Sequence, residues 1–406
     1  MKLIKILKID KILAINTSSL FLIYFINFCI SIIILPKLIS NYGITNWGKI
    51  AFSQLIINYF IWFIDWSFPQ YACNLISINE NNPNKRNNIF KETINAQLIL
   101  FCLSSLLLII FYLIFNLNKN IYLYSILILL GSFLQPYWYL NGRERIYESA
   151  LFQLLNKLIF TYFIFNFTRM DDQISNYFLF FGFANIITGI ICISRITIHY
   201  KEAFNFINYK RTLSHLKKSY LLFNSSILGN VTTSTLPFLI NYFYLPDKLG
   251  IYNIADRIKN LTIQIFNPLS HSIFPRMSKY YNTDKQKGNS ILIRVTALSI
   301  LLGIIIFIFS NIFINDIIFY FSKNNTYEIN RVLRILLISF LSNISYEILV
   351  NQYLTVNHYY KEINKAKFII FVSSILFGIP LISKFGIFGA ALTNLIYEIT
   401  GLIYVV

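Results

Sequence analysis

Long apolar segments separated by short polar connections occupy most of this 406-residue chain. Each segment is long enough to cross the roughly 30 Å hydrocarbon core of a bilayer, which takes about 20 helical residues. The pattern therefore predicts an all-α polytopic membrane protein with twelve transmembrane helices. The predicted spans are residues 12–39, 45–77, 93–117, 119–140, 149–167, 173–198, 218–244, 250–274, 290–314, 328–356, 366–383 and 385–406.

The basic residues between these spans alternate in density from one connection to the next. Of the 35 Lys and Arg, 23 lie at the N-terminus or in every second loop, seven lie in the other loops, and five lie inside spans. Lys and Arg accumulate in cytoplasmic loops. The distribution therefore predicts that both termini of a twelve-span chain are cytoplasmic.

A basic connection at residues 200–217 divides the spans into two sets of six. It predicts an N-terminal bundle (1–199) and a C-terminal bundle (218–406). LPKLISNYG near the end of span 1 is similar to LPFLINYFY in span 7, and WGKIA at the start of span 2 is similar to LGIYNIA at the start of span 8. An offset of six spans preserves orientation, so we expect the two six-helix bundles to be related by a pseudo-two-fold axis along the membrane normal.

Composition and missing motifs narrow the function classes. Charged residues make up 13% of the chain, against about 25% in a soluble domain, which excludes a soluble enzyme. The sequence contains no GxxxxGK[ST], GxGxxG, HExxH or GxSxG motif, so we expect no ATP hydrolysis, cofactor or metal centre. Most of the net charge of +18 lies in the predicted cytoplasmic loops, which indicates anionic lipid rather than nucleic acid as its partner.

Polar residues inside the spans are the best candidates for function, because an ionisable group in a bilayer is costly without a cavity or a partner. Span 8 carries five polar residues at increments of three and four, which places them on one helical face. These residues are Arg257, Asn260, Gln264, Asn267 and His271. Span 2 repeats the pattern with Gln54, Asn58 and Asp65. Each stripe can line a water-filled cavity or form a polar seam between helices.

The remaining intramembrane charges complete two candidate sets. Arg and Lys are the residue types that hold phosphate, which predicts a cavity for an anionic amphiphile. The predicted substrate-binding residues are Arg257, Lys157, Lys259, Arg331, Arg334, Asn260, Gln264, Asn267, Asn58 and Gln54, and the predicted ion-coupling residues are Asp65, Glu347, Glu398 and His271.

Structural roles stay open for several of these residues. Lys157 can extend toward the inner surface, and Lys259 can pair with Asp256 three positions earlier. Arg331 and Arg334 can act as interfacial anchors.

Four stretches resemble a known family. They are NYGITNWGKIAFSQLIINYFIWFIDWSFPQYA (Asn41–Ala72), QPYWYLNGRER (Gln135–Arg145), YLPDKLGIYNIADRIKNLTIQIFNPLSHSIFPRMSKY (Tyr244–Tyr280) and KFGIFGAALTNLIYE (Lys384–Glu398). They are similar to the polysaccharide-unit flippases (O-antigen or capsule repeat-unit translocases, Wzx type) of the multidrug/oligosaccharidyl-lipid/polysaccharide exporter superfamily. The resemblance implies two six-helix bundles around a cation-lined cavity.

The resemblance also implies a cargo and a place. It implies that undecaprenyl-pyrophosphate-linked oligosaccharide repeat units move from the cytoplasmic to the periplasmic leaflet by alternating access, in the bacterial inner membrane, for O-antigen or capsular polysaccharide synthesis. Implied partners are this substrate, membrane lipid and other polysaccharide-assembly membrane proteins. Two alternatives stay open: a cation-coupled multidrug exporter of the same superfamily, and a membrane glycosyltransferase or polymerase.

Overall fold

The computed structural model describes residues 2–115, 119–169, 173–203, 209–266, 270, 273–274, 277, 280–281, 283–323 and 327–406, with the backbone alone at 2–21, 115, 119, 221 and 225. The described part is almost entirely helical and contains no β-strand. Its α-helices are α1 (Lys2–Asp65), α2 (Tyr71–Ile78), α3 (Pro83–Phe115), α4 (Lys119–Phe133), α5 (Tyr137–Gly142), α6 (Ile146–Phe167), α7 (Ile174–Ser194), α8 (Tyr209–Phe243), α9 (Pro246–Gln264), α10 (Lys285–Ile312), α11 (Ile314–Ser322), α12 (Tyr327–Leu349), α13 (Tyr360–Phe385) and α14 (Ile387–Val405). π-Helical turns follow α7 at Arg195–His199 and α12 at Val350–Leu354.

The first helix contains predicted span 1 and the part of predicted span 2 up to Asp65. Its backbone leaves helical geometry at Gly43, where φ is 73° and ψ is 164°. This left-handed φ carries little penalty only for a residue that lacks a Cβ atom. Gly43 therefore divides α1 at the position where the sequence predicts the connection between spans 1 and 2.

Nine helical segments in the described residues are long and apolar enough to cross a membrane. One of them, Leu22–Asp65, covers most of predicted span 1 and the first part of predicted span 2. Predicted spans 7 and 8 correspond to α8 and α9, which are not among the nine. Both helices are rich in polar residues, and α9 alone carries Asp247, Lys248, Asp256, Arg257 and Lys259. The all-α polytopic fold is confirmed, and the count of twelve stays a prediction.

The chain forms two compact units, and the first comprises residues 1–30 and 53–227. Helices α4 and α7 pack closely against each other in this unit. Gly131 allows this approach, since a Cβ atom there would lie 2.3 Å from the Cβ of Asn185. Next to this contact, the Gln135 amide donates to the Asn185 carbonyl (2.9 Å) and to the Thr188 hydroxyl (2.8 Å). The interior of this unit thus combines close apolar packing with interhelical amide bonds.

The second unit comprises residues 31–52 and 228–406. In it α12 packs against α9, α10 and α14, while α13 and α14 form a helical hairpin. Gly386 connects the hairpin with a φ of 61°. The division into the bundles 1–199 and 218–406 stays a prediction. The two compact units differ from these bundles, because residues 31–52 group with the C-terminal half.

Candidate functional site

A buried charged cluster lies in the second unit, where α9, α12 and α14 meet. The Lys259 ammonium donates to Asp256 Oδ1 at 2.9 Å, as its i, i+3 position predicts. Its side chain is 7% exposed, so the pair is largely removed from solvent. Nζ also lies 3.4 Å from Asn394 Oδ1, which accepts a 2.7 Å bond from the Ser339 hydroxyl. Lys259 therefore joins α9 to α14 through a polar contact inside the unit.

Glu398 lies one turn after Asn394 on the same helix and extends this cluster. The Asn343 amide donates to both carboxylate oxygens of Glu398 at 3.0 Å. Glu398 is 8% exposed and interacts electrostatically with both Lys259 and Asp256. Two carboxylates thus share one ammonium group in a largely buried environment, so the cluster carries one excess negative charge when all three groups are ionised.

Arg257 lies on a different face of α9 from Lys259. Its guanidinium carbon is 4.8 Å from the centroid of the Trp47 ring, and its Nε donates to Asn253 Oδ1 at 3.1 Å. Trp47 is fully buried within the same unit. This cation–π contact places the flat face of the guanidinium on the Trp47 ring.

The polar stripe predicted along span 8 is described in part. Asn260 is exposed and donates to Asp256 Oδ2 at 2.9 Å, while Gln264 is exposed and ends α9. Asn267 and His271 lie outside the described residues. The described part of the stripe therefore consists of Arg257, Asn260 and Gln264, whose positions agree with one helical face.

The two arginines at the start of α12 are exposed and contact nearby aromatic or amide groups. Arg331 lies over the rings of Phe388 (4.4 Å) and Tyr327 (5.5 Å). Arg334 Nε donates to Asn330 Oδ1 at 2.8 Å. These contacts are compatible with an interfacial anchor and with a phosphate contact, so the sequence-based alternatives stay open.

Glu347 lies near the C-terminal end of α12, just before the π-helical turn. Its side chain lines a cavity of about 600 Å³ in the second unit. Asn351, one turn further on, donates to its Oε2 at 3.1 Å. Asn343, the residue that binds Glu398, lines the same cavity. Asn343, Glu347 and Asn351 follow one another at intervals of four residues, so they form one continuous face, which connects the cavity with the buried charged cluster.

The first unit holds the other predicted residues. Gln54 donates to the Tyr177 hydroxyl at 2.5 Å, and Asn58 is exposed. The half-buried Lys157 ammonium donates to the Asn27 carbonyl at 2.5 Å. The Lys157 bond therefore joins α6 to α1 inside this unit.

The position predicted for Asp65 inside span 2 is wrong. The sequence places it about 11 residues before the inner end of that span, but α1 ends at Asp65. The backbone turns at Trp66, where φ is 51°, and residues 71–78 form the separate helix α2. The carboxyl of Asp65 is therefore half-buried at a helix terminus, and its predicted part in ion coupling stays a prediction.

Sequence reasoning missed the buried ion network of the first unit. The Arg86 guanidinium donates to Glu202 Oε1 at 2.5 Å, and the Tyr139 hydroxyl donates to the same oxygen at 2.6 Å. Glu202 is 2% exposed although it lies in a basic connection that the sequence marks as a solvated loop. A lone Glu among basic residues was the available signal, but only the tertiary structure reveals its partners.

The fold and these intramembrane polar clusters define the class: an all-α polytopic membrane protein with the architecture of a transporter. It is similar to a solved structure described as "Lipid II flippase MurJ, inward closed conformation" (TM-score 0.75, 16% identity, 96% of this chain and 86% of that chain). It is also similar to the inward-facing conformation of a multidrug resistance MATE family transporter of the MOP superfamily (TM-score 0.67, 12% identity, 94% of this chain and 93% of that chain). At these identities the likeness shows the fold alone.

The chain belongs to the family described as polysaccharide biosynthesis protein, whose model matches residues 13–281. The MatE family model matches residues 223–383. A protein of Escherichia coli (strain K12) named "Putative O-antigen transporter" is 26% identical over 389 residues, which covers 92% of this chain and 90% of the relative. The family expected from the sequence stretches is confirmed.

Proposed function

We propose that this protein is a flippase for polyprenyl-diphosphate-linked oligosaccharides, which it moves from the cytoplasmic to the periplasmic leaflet by alternating access. The observation that carries the proposal is the near full-length similarity to the Escherichia coli relative named "Putative O-antigen transporter". Membership of the polysaccharide biosynthesis family points to the same class of cargo. In this proposal the protein lies in the bacterial inner membrane with cytoplasmic termini and serves O-antigen or capsular polysaccharide synthesis.

The chemistry of the site supports an anionic cargo. A diphosphate in a water-poor path needs cationic hydrogen-bond donors, and Arg supplies them in a planar fork. The guanidinium of Arg257 lies with its flat face on Trp47, and the ammonium of Lys157 donates to the Asn27 carbonyl. In this proposal each cation is a candidate phosphate contact. Lys259 is a weaker candidate for phosphate contact, since its ammonium is buried against Asp256.

The same reasoning assigns a different task to the acidic residues. A carboxylate repels a diphosphate, so Glu347 and Glu398 suit the uptake of a proton or a metal cation that drives the conformational cycle, as the predicted ion-coupling set states. The excess charge around Lys259 and Glu398 is the physical basis for this part of the proposal. Asp65, which is partly buried, is a further member of the predicted ion-coupling set.

Arg257→Ala and Lys157→Ala test the proposal in cells that lack the chromosomal copy of the gene. We expect each variant, at wild-type protein level in the membrane, to lose most of the surface polysaccharide, and Arg257→Lys to retain part of it. The matched control is Arg211→Ala, which removes an exposed cation at the start of α8 and should leave the polysaccharide unchanged. Unchanged polysaccharide in both alanine variants would show that these cations do not hold the cargo.

The multidrug-exporter alternative has a distinct readout. The MatE match over residues 223–383 and the carboxylate in the cavity motivate it, because acidic cavities suit cationic drugs. An exporter would change the resistance of cells to lipophilic cations and leave surface polysaccharide unaffected when the gene is deleted. A flippase for lipid-linked oligosaccharides gives the opposite pattern.

A further inference from the structure

The cavity in the second unit has a chemistry that the diphosphate-binding proposal leaves unused. Its volume is about 600 Å³, within the range of small-molecule sites. Much of its described lining is apolar, with the aromatic rings of Phe266 and Phe274 among the wall residues. Its described polar lining consists of Ser270, Ser299, Asn343, Glu347, Asn351 and Gln352.

The three amide side chains of this cavity are oriented by their bonds to the protein. The NH₂ group of Asn343 donates to the Glu398 carboxylate, and that of Asn351 donates to the Glu347 carboxylate. The NH₂ group of Gln352 donates to the backbone carbonyl of Ser270 at 2.9 Å. Carboxylates and carbonyls accept hydrogen bonds, so the amide atom that faces each of these partners is the nitrogen, and the other is the oxygen. The amide oxygens are the ends left for a ligand.

Two buried oxygen atoms lack a partner within the described part of the protein. Gln352 Oε1 belongs to a residue that is 1% exposed, and Ser299 Oγ to one that is fully buried. Burying a polar atom without a hydrogen-bond partner is unfavourable. Both residues line the cavity, so a ligand that donates hydrogen bonds there removes this cost.

We propose that this cavity binds a sugar residue of the carried oligosaccharide through its hydroxyl groups, an inference that rests on the proposed function. Sugar hydroxyls donate to the Gln352 amide oxygen and the Glu347 carboxylate, while the apolar face of the ring packs on Phe266 or Phe274. The cavity volume of about 600 Å³ is far larger than a single ion or water molecule needs, since one water molecule occupies about 30 Å³ in the liquid. The negative charge of Glu347 repels a diphosphate, so in this arrangement the cavity holds the sugar while the diphosphate of the lipid anchor lies elsewhere.

Binding of two lipids to the purified protein tests this assignment. The first probe is the lipid-linked oligosaccharide extracted from cells that lack the flippase, and the second is the polyprenyl diphosphate without sugar. We expect Gln352→Met to weaken binding of the first probe about tenfold, the effect of about one to two lost hydrogen bonds, and to leave the second unchanged. Ser299→Ala, which removes a single atom, should weaken the first probe in the same direction but less.

The matched control is Gln135→Met, which changes a bonded amide in the first unit and should alter neither affinity. Equal weakening of both lipids by Gln352→Met, or no weakening of either, would overturn the sugar site. Arg257→Ala should weaken both probes, because the diphosphate is common to them. If the wild-type protein binds neither probe, the proposed flippase function itself fails, which is a different outcome from failure of the sugar site.

Discussion

The Asp256–Lys259 pair allows the strongest test of the buried charged cluster, because its two members have unequal surroundings. The side chain of Lys259 is 7% exposed and that of Asp256 is 25% exposed. After Asp256→Asn, the buried ammonium keeps an amide oxygen as an acceptor at this position and keeps Glu398 as a charged neighbour. After Lys259→Met, Asp256 still accepts a bond from Asn260 at 2.9 Å, but Asp256 and the buried Glu398 have lost the cation that they share. We therefore expect Lys259→Met to be the more damaging change.

The magnitudes follow from the cost of leaving a buried charge without its partner, which is about 3–5 kcal/mol. The partial exposure of Asp256 places Lys259→Met near the lower end, at about 3 kcal/mol, and Asp256→Asn, which leaves Lys259 beside Glu398, at roughly half of that. The double variant removes both charges and should cost less than the sum of the two single changes by about 2 kcal/mol. For a unit of roughly 200 residues, 1 kcal/mol shifts the melting temperature by about 2–4 °C.

Thermal unfolding of the purified protein in detergent measures this cycle. Lys259→Met should lower the melting temperature by about 6–12 °C, and adding Asp256→Asn should restore part of the loss. The control is Lys287→Met, which removes one member of an exposed i, i+3 pair at 3.2 Å with Asp284. It should leave the melting temperature unchanged. Additive losses in the double variant would refute the reasoning, since additivity means that the two charges do not depend on each other.

Three further predictions concern other parts of the molecule. Gly250→Ala places a Cβ atom 2.2 Å from a backbone oxygen and should lower stability by about 1–3 kcal/mol in thermal unfolding, whereas Gly229→Ala, with no atom closer than 3.9 Å, should be neutral or stabilising. Glu202→Gln, which leaves a buried arginine without its carboxylate, should cost about 3 kcal/mol in the same assay; an effect below 0.5 kcal/mol would contradict the network. In a protein without its four native cysteines, Lys323→Cys should react with an impermeant maleimide on intact spheroplasts and Lys210→Cys only after lysis; the reverse pattern would invert the predicted topology.

The sequence predicted the helical fold because a membrane span is defined by a long apolar run and needs no tertiary partner to be recognised. It failed where an apolar run contains a turn. Residues 45–77 read as one span, yet the helix ends at Asp65 and the backbone turns at Trp66. Hydropathy averaged over the length of a span does not detect this turn, since the stretches before Asp65 and after Gln70 are both mainly apolar.

The candidate site was predictable only as far as helical spacing reaches. The pairing of Lys259 with Asp256 follows from positions three apart on one helix, and the structure confirms it. The contact of Lys259 with Asn394 joins residues 135 positions apart, and the bond from Asn343 to Glu398 spans 55 positions. Such contacts depend on how α9, α12 and α14 pack, which the periodicity of each helix alone does not determine.

Translocation of lipid-linked oligosaccharide by the purified protein in liposomes tests the central claim most directly. The substrate is placed in both leaflets, and the fraction accessible to an added glycan-modifying enzyme outside the vesicles is followed over time. The account predicts that wild-type protein makes nearly all of the substrate accessible, whereas Arg257→Ala vesicles stay near the half that starts in the outer leaflet. Wild-type vesicles that remain at that half, with the protein folded and inserted, would contradict the assignment as a flippase.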